Sequence, residues 1–199
     1  MTSSPIRFSE PIDTRTTELY SPDQFSIQPK YVGHLEGIRV PGGLVKNRIR
    51  RLSEHVSNYD FGEEMVLACM LKGAMPFHSE MQKKITKKTR TALYGASSYH
   101  GAKSTGEVNV YLFNPKDFED RHVVLIEDIS ESGLTLAQAQ KDIGAVAKSL
   151  TTIVLFDKPD AERLAHPQID GVGLIIPHKE FVVGGGLDYN GKYRDLYHL

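Results

Sequence analysis

The adjacent carboxylates Glu127 and Asp128 stand just ahead of Ser130, Glu131, Ser132, Gly133, Leu134 and Thr135. Residue types in this order can hold a phosphorylated sugar. Small and hydroxyl residues around a glycine let backbone N–H groups close on an anion, and a helix starting there adds its dipole. The carboxylates are a separate device. Side chains alternate along a strand, so Glu127 and Asp128 leave its end in different directions. Beside a phosphate loop, such a pair can accept hydrogen bonds from ribose hydroxyls or anchor Mg2+ directly or through water. Taken alone, the pair also fits strand-end solvation or the acidic charge common at helix starts. Ser132, Gly133 and Thr135 favour the ligand-binding reading.

Such residues need a strand before them and a helix after them. Residues 123–126 are all apolar and read as a strand buried on both faces. Leu136, Ala139, Ile143, Val146, Ala147 and Leu150 then lie on one helical stripe. Upstream, Val45, Ile49, Leu52 and Val56 form another stripe, residues 65–71 a buried strand, and residues 81–85 a short helix. Residues 91–94 and 108–112 read as strands joined by a long mobile loop of glycine, serine and lysine. Strands over residues 152–156 and 172–176 close the pattern. The alternation predicts an α/β fold, a mostly parallel sheet with helices on both faces and ligands at the carboxyl ends of the strands. Residues 1–34 are polar and proline-containing, an arm or small hood element ahead of a main domain over residues 35–199.

Bulk properties narrow the class. In 199 residues, 24 Lys and Arg nearly balance 25 Asp and Glu, so no general attraction to nucleic acid or an anionic membrane surface is expected. The basic stretches at residues 46–51 and 83–90 are the exceptions. The single cysteine, Cys69, sits within an apolar strand and reads as a buried, inert thiol, suiting a reducing compartment. No apolar run approaches membrane-spanning length, and residues 1–10 lack a signal-peptide core, so a cytoplasmic protein is expected. The ending Tyr197-His198-Leu199 is a weak match to a peroxisomal Ser-Lys-Leu signal, with tyrosine where a small residue belongs. His100, His122, His166 and His178 show no metal-ligand spacing.

Residues 127–135 resemble the phosphoribosyl-pyrophosphate (PRPP) signature of type I phosphoribosyltransferases, and within them the hypoxanthine-guanine branch. Three further segments resemble that family in the expected order. Leu71-Lys72-Gly73 matches its pyrophosphate loop. Ser98-Tyr99, with residues 103–107, matches its mobile loop. Residues 181–184, 187–190 and 193–196 match its purine-binding and C-terminal region. The resemblance implies the type I phosphoribosyltransferase fold with a small hood. It also implies transfer of a 5-phosphoribosyl group from PRPP to a 6-oxopurine, with Mg2+, in a homodimer or homotetramer. On it, Ser130 to Thr135 hold the 5′-phosphate, while Glu127 and Asp128 serve ribose and metal. Lys72, Gly73 and Arg194 grip pyrophosphate. Ile129, Lys158, Phe181, Val182 and Asp188 form the base site, Lys158 reading the exocyclic oxygen, Phe181 stacking on the ring and Asp188 holding a second Mg2+. A cis peptide is implied at Leu71-Lys72.

The chain departs from the family pattern at Glu131, at Ser132, where threonine is more usual but the hydroxyl is kept, and at a run of glycines. Glu131 stands where an aspartate is usual, near the purine N7, and is the candidate proton-transfer group. Its extra methylene moves the carboxylate by about 1.5 Å, enough to disturb a geometry needing about 2.6–3.2 Å between heavy atoms. Residues 184–186 are all glycine where a bulky residue is usual in the middle, which predicts a looser base pocket. Two other readings remain: a phosphoribosyltransferase for another base, and a non-catalytic PRPP- or nucleotide-binding regulator on the same fold, which Glu131 would favour.

Overall fold

One seven-stranded sheet organises the fold. The computed structural model describes residues 6–98 and 108–199. Its strands are β1 (Ile12–Asp13), β2 (Glu64–Leu71), β3 (Lys88–Ser98), β4 (Val108–Leu112), β5 (His122–Ser130), β6 (Ser149–Asp157) and β7 (Gly171–Ile175). They lie in the order β1-β7-β6-β5-β2-β3-β4, and every pair is parallel except β3 with β4. The helices are α1 (Gly42–Asn58), α2 (Met75–Lys84) and α3 (Leu134–Gly144).

Central strands buried on both faces must be apolar throughout. Residues 65–70 of β2, 123–126 of β5 and 153–156 of β6 meet that demand, and all are buried. Helix α1 buries Val45, Ile49, Leu52 and Val56, the stripe expected from sequence. It packs on α2 and β7, while α3 packs on β3, β4 and β6. The β2-α2-β3 crossover moves one way along the sheet and β5-α3-β6 the other. With right-handed crossovers, this puts α2 and α3 on opposite faces. The direction therefore reverses between β2 and β5, and a crevice opens beyond their carboxyl ends. Lys72-Gly73 leaves β2 there, and Glu131 leaves β5 beside it.

Several elements differ from the sequence expectation. Helix α2 begins at Met75 rather than near Met81, because Pro76 in the first turn starts a helix instead of breaking it. Strand β5 continues through Ser130, since its register with β6 carries pairing from His122↔Ser149 to Ser130↔Asp157. Helix α3 ends at Gly144. Val146 and Ala147 lie in the following turn, and Leu150 belongs to β6. The polar arm supplies β1, which pairs with β7.

The carboxyl-terminal residues are not a free tail. Leu199 is buried, its backbone oxygen accepts from Arg39 N and Val40 N, and its N–H donates to Val40 O. A receptor reading Tyr197-His198-Leu199 as an extended peptide would have to pull it out. No helix among the described residues is long and apolar enough to cross a membrane.

Candidate active site

The candidate phosphate loop is assembled by its neighbours more than by itself. Gly133 precedes α3 with φ +80°, and no side chain caps the helix, leaving its first-turn N–H groups for an anion. A Cβ at Gly133 would fall 2.3 Å from Ala165 O and 2.8 Å from Pro167 Cδ. The segment after β6 straps the loop in place. Leu164 N and Ala165 N donate to Ser132 O, and Lys158 N donates to Ser130 O. Arg163 Nη1 donates to Ser130 Oγ at 2.6 Å, and its Nη2 pairs with Asp157 at 2.5 Å. Arg163 was not legible in the sequence, because it lies in an aperiodic loop and acts through Ser130.

On the other side of β5, Asp128 is buried against Gly73. A Cβ at residue 73 would fall 1.6 Å from Asp128 Oδ2, so only glycine lets the turn after β2 pass the carboxylate. The peptide Leu71-Lys72 is cis, as the resemblance implies, and Lys72 itself is exposed. Gly186 packs on this turn in its turn, where a Cβ would lie 2.1 Å from Gly73 O. Arg194 ties the layers together: Nη1 donates to Gly186 O at 2.8 Å and Nη2 pairs with Asp188 at 2.5 Å. Asp188 also accepts from Gly191 N at 2.7 Å.

The glycine run is therefore not slack. Gly184, Gly185 and Gly186 all have positive φ, and at Gly184 and Gly186 a Cβ would strike backbone oxygen. The run hydrogen-bonds to Leu187, Leu196 and Arg194. The looser pocket expected from sequence is not what the backbone shows. Glycine is needed here for close approach.

At the base end, Lys158 is 5% exposed and its Nζ donates to Glu180 O at 3.0 Å and Glu131 Oε1 at 3.2 Å. The Glu180 carboxylate is held in turn by buried Arg39, whose Nε donates at 2.7 Å and whose Nη1 donates to Thr14 O at 3.3 Å. This support by Arg39 was also invisible in sequence. Phe181 is 75% exposed, its ring edge-on to Tyr189 at 5.7 Å. An open aromatic face at this place suits a flat base. Ile129 and Val182 are half-buried beside the core. Ser98 ends β3 opposite Val108. Tyr99 and residues 100–107, including His100, lie outside the described residues.

The carboxylates fit Mg2+. Burial pushes Glu127 well above the usual carboxylate range, and the neighbouring Asp128 charge adds to it. Burial raises Asp128 too, against the pull of a backbone N–H and of Arg194. Crowded, desolvated carboxylates are relieved by a nearby cation. Among the described residues no three His, Cys, Asp or Glu side chains converge into a cage. Mg2+ does not require one, since it takes one or two carboxylates with substrate phosphates and water.

Comparison with known proteins agrees with this geometry. Residues 42–190 match the family model described as phosphoribosyl transferase domain. The hypoxanthine-guanine phosphoribosyltransferase of Mycobacterium avium is 33% identical over 177 residues, covering 85% of this chain and 86% of that one. The hypoxanthine phosphoribosyltransferase of Salmonella typhimurium is 33% identical over 167 residues, covering 82% and 93%. A crystal structure of a hypoxanthine phosphoribosyltransferase from Staphylococcus aureus superposes with a TM-score of 0.77 at 34% identity, covering 86% of this chain and 94% of that one. With this likeness over most of its length, the chain belongs to the phosphoribosyltransferase family, as a type I purine phosphoribosyltransferase.

Proposed function

We propose that this chain serves purine salvage by transferring the 5-phosphoribosyl group of PRPP to a 6-oxopurine (hypoxanthine, guanine or xanthine), releasing pyrophosphate. The observation that carries this reading is Lys158, a nearly sealed ammonium at the end of β6, beside the phosphate loop and beneath the Glu180-Phe181 segment. A buried donor there selects a base that brings an acceptor, which adenine's amino group does not.

The reaction breaks the anomeric bond, leaving positive charge on the ribose and negative charge on pyrophosphate. The α3 N-terminus with residues 130–135 would hold the 5′-phosphate. Lys72 and Arg194 would meet the growing charge on the leaving group, electrostatic stabilisation aimed at where charge develops. Glu127, Asp128 and Asp188 are the residues to hold Mg2+, which when bound neutralises the pyrophosphate oxygens and helps it leave. Phe181 would stack on the base and Lys158 would grip its exocyclic oxygen. In the N7–H tautomer, N9 has a free lone pair; as N9 attacks the anomeric carbon, the N7 proton passes to Glu131. Closure of the loop at Ser98-Tyr99 would keep out water, the competing nucleophile. Homodimeric or homotetrameric assembly in the cytoplasm completes the proposal.

Lys158→Ala tests the carrying observation. It should weaken 6-oxopurine use by about 1.5–3 kcal/mol, the worth of a hydrogen bond from a charged donor, with PRPP binding nearly unchanged by titration calorimetry. Equal losses for base and PRPP would make Lys158 a structural residue and count against the base site.

A further inference from the structure

Glu131 and Lys158 make a contact that neither the phosphate loop nor the sheet requires. Glu131 follows β5 and Lys158 follows β6, and Ser130 pairs with Asp157 in register. The two side chains therefore emerge side by side from neighbouring strand ends. Lys158 is sealed while the Glu131 side chain is 52% exposed, and they meet at 3.2 Å. A carboxylate one C–C bond shorter would sit up to about 1.5 Å farther off, past hydrogen-bond reach. The extra methylene is what makes the pair.

A charged group this far from water needs acceptors around it. Lys158 has Glu180 O and Glu131, and it can release Glu131 only in exchange for another acceptor. We propose that Glu131 is an affinity-setting latch on the base site: it occupies Lys158 in the free enzyme, and an incoming purine must displace it. The latch rests on the reading that Lys158 meets the substituent at purine position 6. A carbonyl oxygen there is a strong acceptor and competes. A thiocarbonyl sulfur is a weaker acceptor, and an amino group brings only donors against an ammonium. The displaced carboxylate, half exposed and untied, is then available at N7. Arrival of the correct base thus frees the group that takes its proton.

The test is steady-state kinetics at saturating PRPP and Mg2+, with hypoxanthine and 6-mercaptopurine as the two bases, on wild type, Glu131→Asp and Glu131→Gln. Glu131→Asp should lower the hypoxanthine KM by about 3- to 10-fold, as expected for loss of a partly exposed competing ion pair. The ratio of kcat/KM for 6-mercaptopurine over hypoxanthine should hold, because each purine displaces the same carboxylate and both KM values fall together. Glu131→Gln should lower KM as well while its kcat collapses, a split that simple damage to the site would not produce. Unchanged KM for both bases in an active Glu131→Asp enzyme would overturn the latch and leave the transferase reading intact. Wild-type protein that makes no nucleotide from any purine would overturn that reading and the latch with it.

Discussion

Arg194 pairs with Asp188 and Lys158 with Glu131, so two of the cations assigned to substrate are held by carboxylates of the same site. For Arg194 the exchange would be symmetrical: the guanidinium would turn to pyrophosphate and the freed Asp188 carboxylate would be left to hold Mg2+. Asp188→Asn should therefore raise the Mg2+ concentration needed for half-maximal rate, with the rate at saturating Mg2+ less affected. An unchanged Mg2+ titration would remove Asp188 from the metal site. Glu131→Gln should lower the chemical step by about 10²–10⁴-fold, the typical worth of a positioned proton-transfer group, with PRPP affinity near wild type. Wild-type single-turnover rates in that variant would show that no base acts from residue 131. The departure at Glu131 was legible in sequence. Its consequence was not, because the reach to Lys158 depends on two strand ends that lie far apart in the chain and meet only through the β5-β6 register.

At the scale of elements, backbone contact decides more than side-chain chemistry. Gly133 has positive φ and Ala165 O beside it, so Gly133→Ala should cost about 1–2 kcal/mol for the left-handed conformation alone, and more for the clash. The expected result is a lower Tm together with weaker PRPP binding. Gly73→Ala is the cleaner probe, since its Cβ would meet the Asp128 side chain and not backbone. It should displace Asp128 and impair PRPP and Mg2+ use, at an overpacking cost of about 1–3 kcal/mol. Full PRPP affinity in Gly73→Ala would show that Asp128 does not need its place. The central strands and α1 were legible because their burial demands unbroken apolar runs or a helical stripe. Helix α2 was not, because Pro76 reads as a breaker until its position in the first turn is known. The glycine run misled for a related reason: composition suggests slack, whereas its φ values and the nearby backbone oxygens show close packing.

The whole molecule is bound together from its arm to its carboxyl end. Strand β1 extends the sheet, Arg39 braces Glu180, and Leu199 pairs with Val40. Pairings of such long sequence separation leave no periodic trace, so the arm reads as unattached in sequence. Buried titratable groups set how this unit responds to solution. His78 is buried on α2 with Nε2 at 3.0 Å from Leu67 O, and burial lowers its pKa. The unfolded chain then binds the extra proton between the depressed value and about 6.5. Stability gained from neutral His78 is present above that range and lost as pH falls through it, with a slope of at most about 1.4 kcal/mol per pH unit. Denaturant titrations of His78→Gln between pH 5 and pH 8, the range about a histidine's usual pKa, should show a flatter profile than wild type. Burial, with the charges of Glu127 and Asp128, pushes the Cys69 thiol up to about 12; it should resist thiol reagents until the protein unfolds. The central claim is most directly tested by incubating the protein with PRPP, Mg2+ and each purine in turn and following nucleotide and pyrophosphate together. The account predicts equimolar nucleotide and pyrophosphate from hypoxanthine or guanine, little from adenine, and none after chelation. Binding of PRPP without nucleotide from any purine, or turnover of adenine as fast as hypoxanthine, would contradict it.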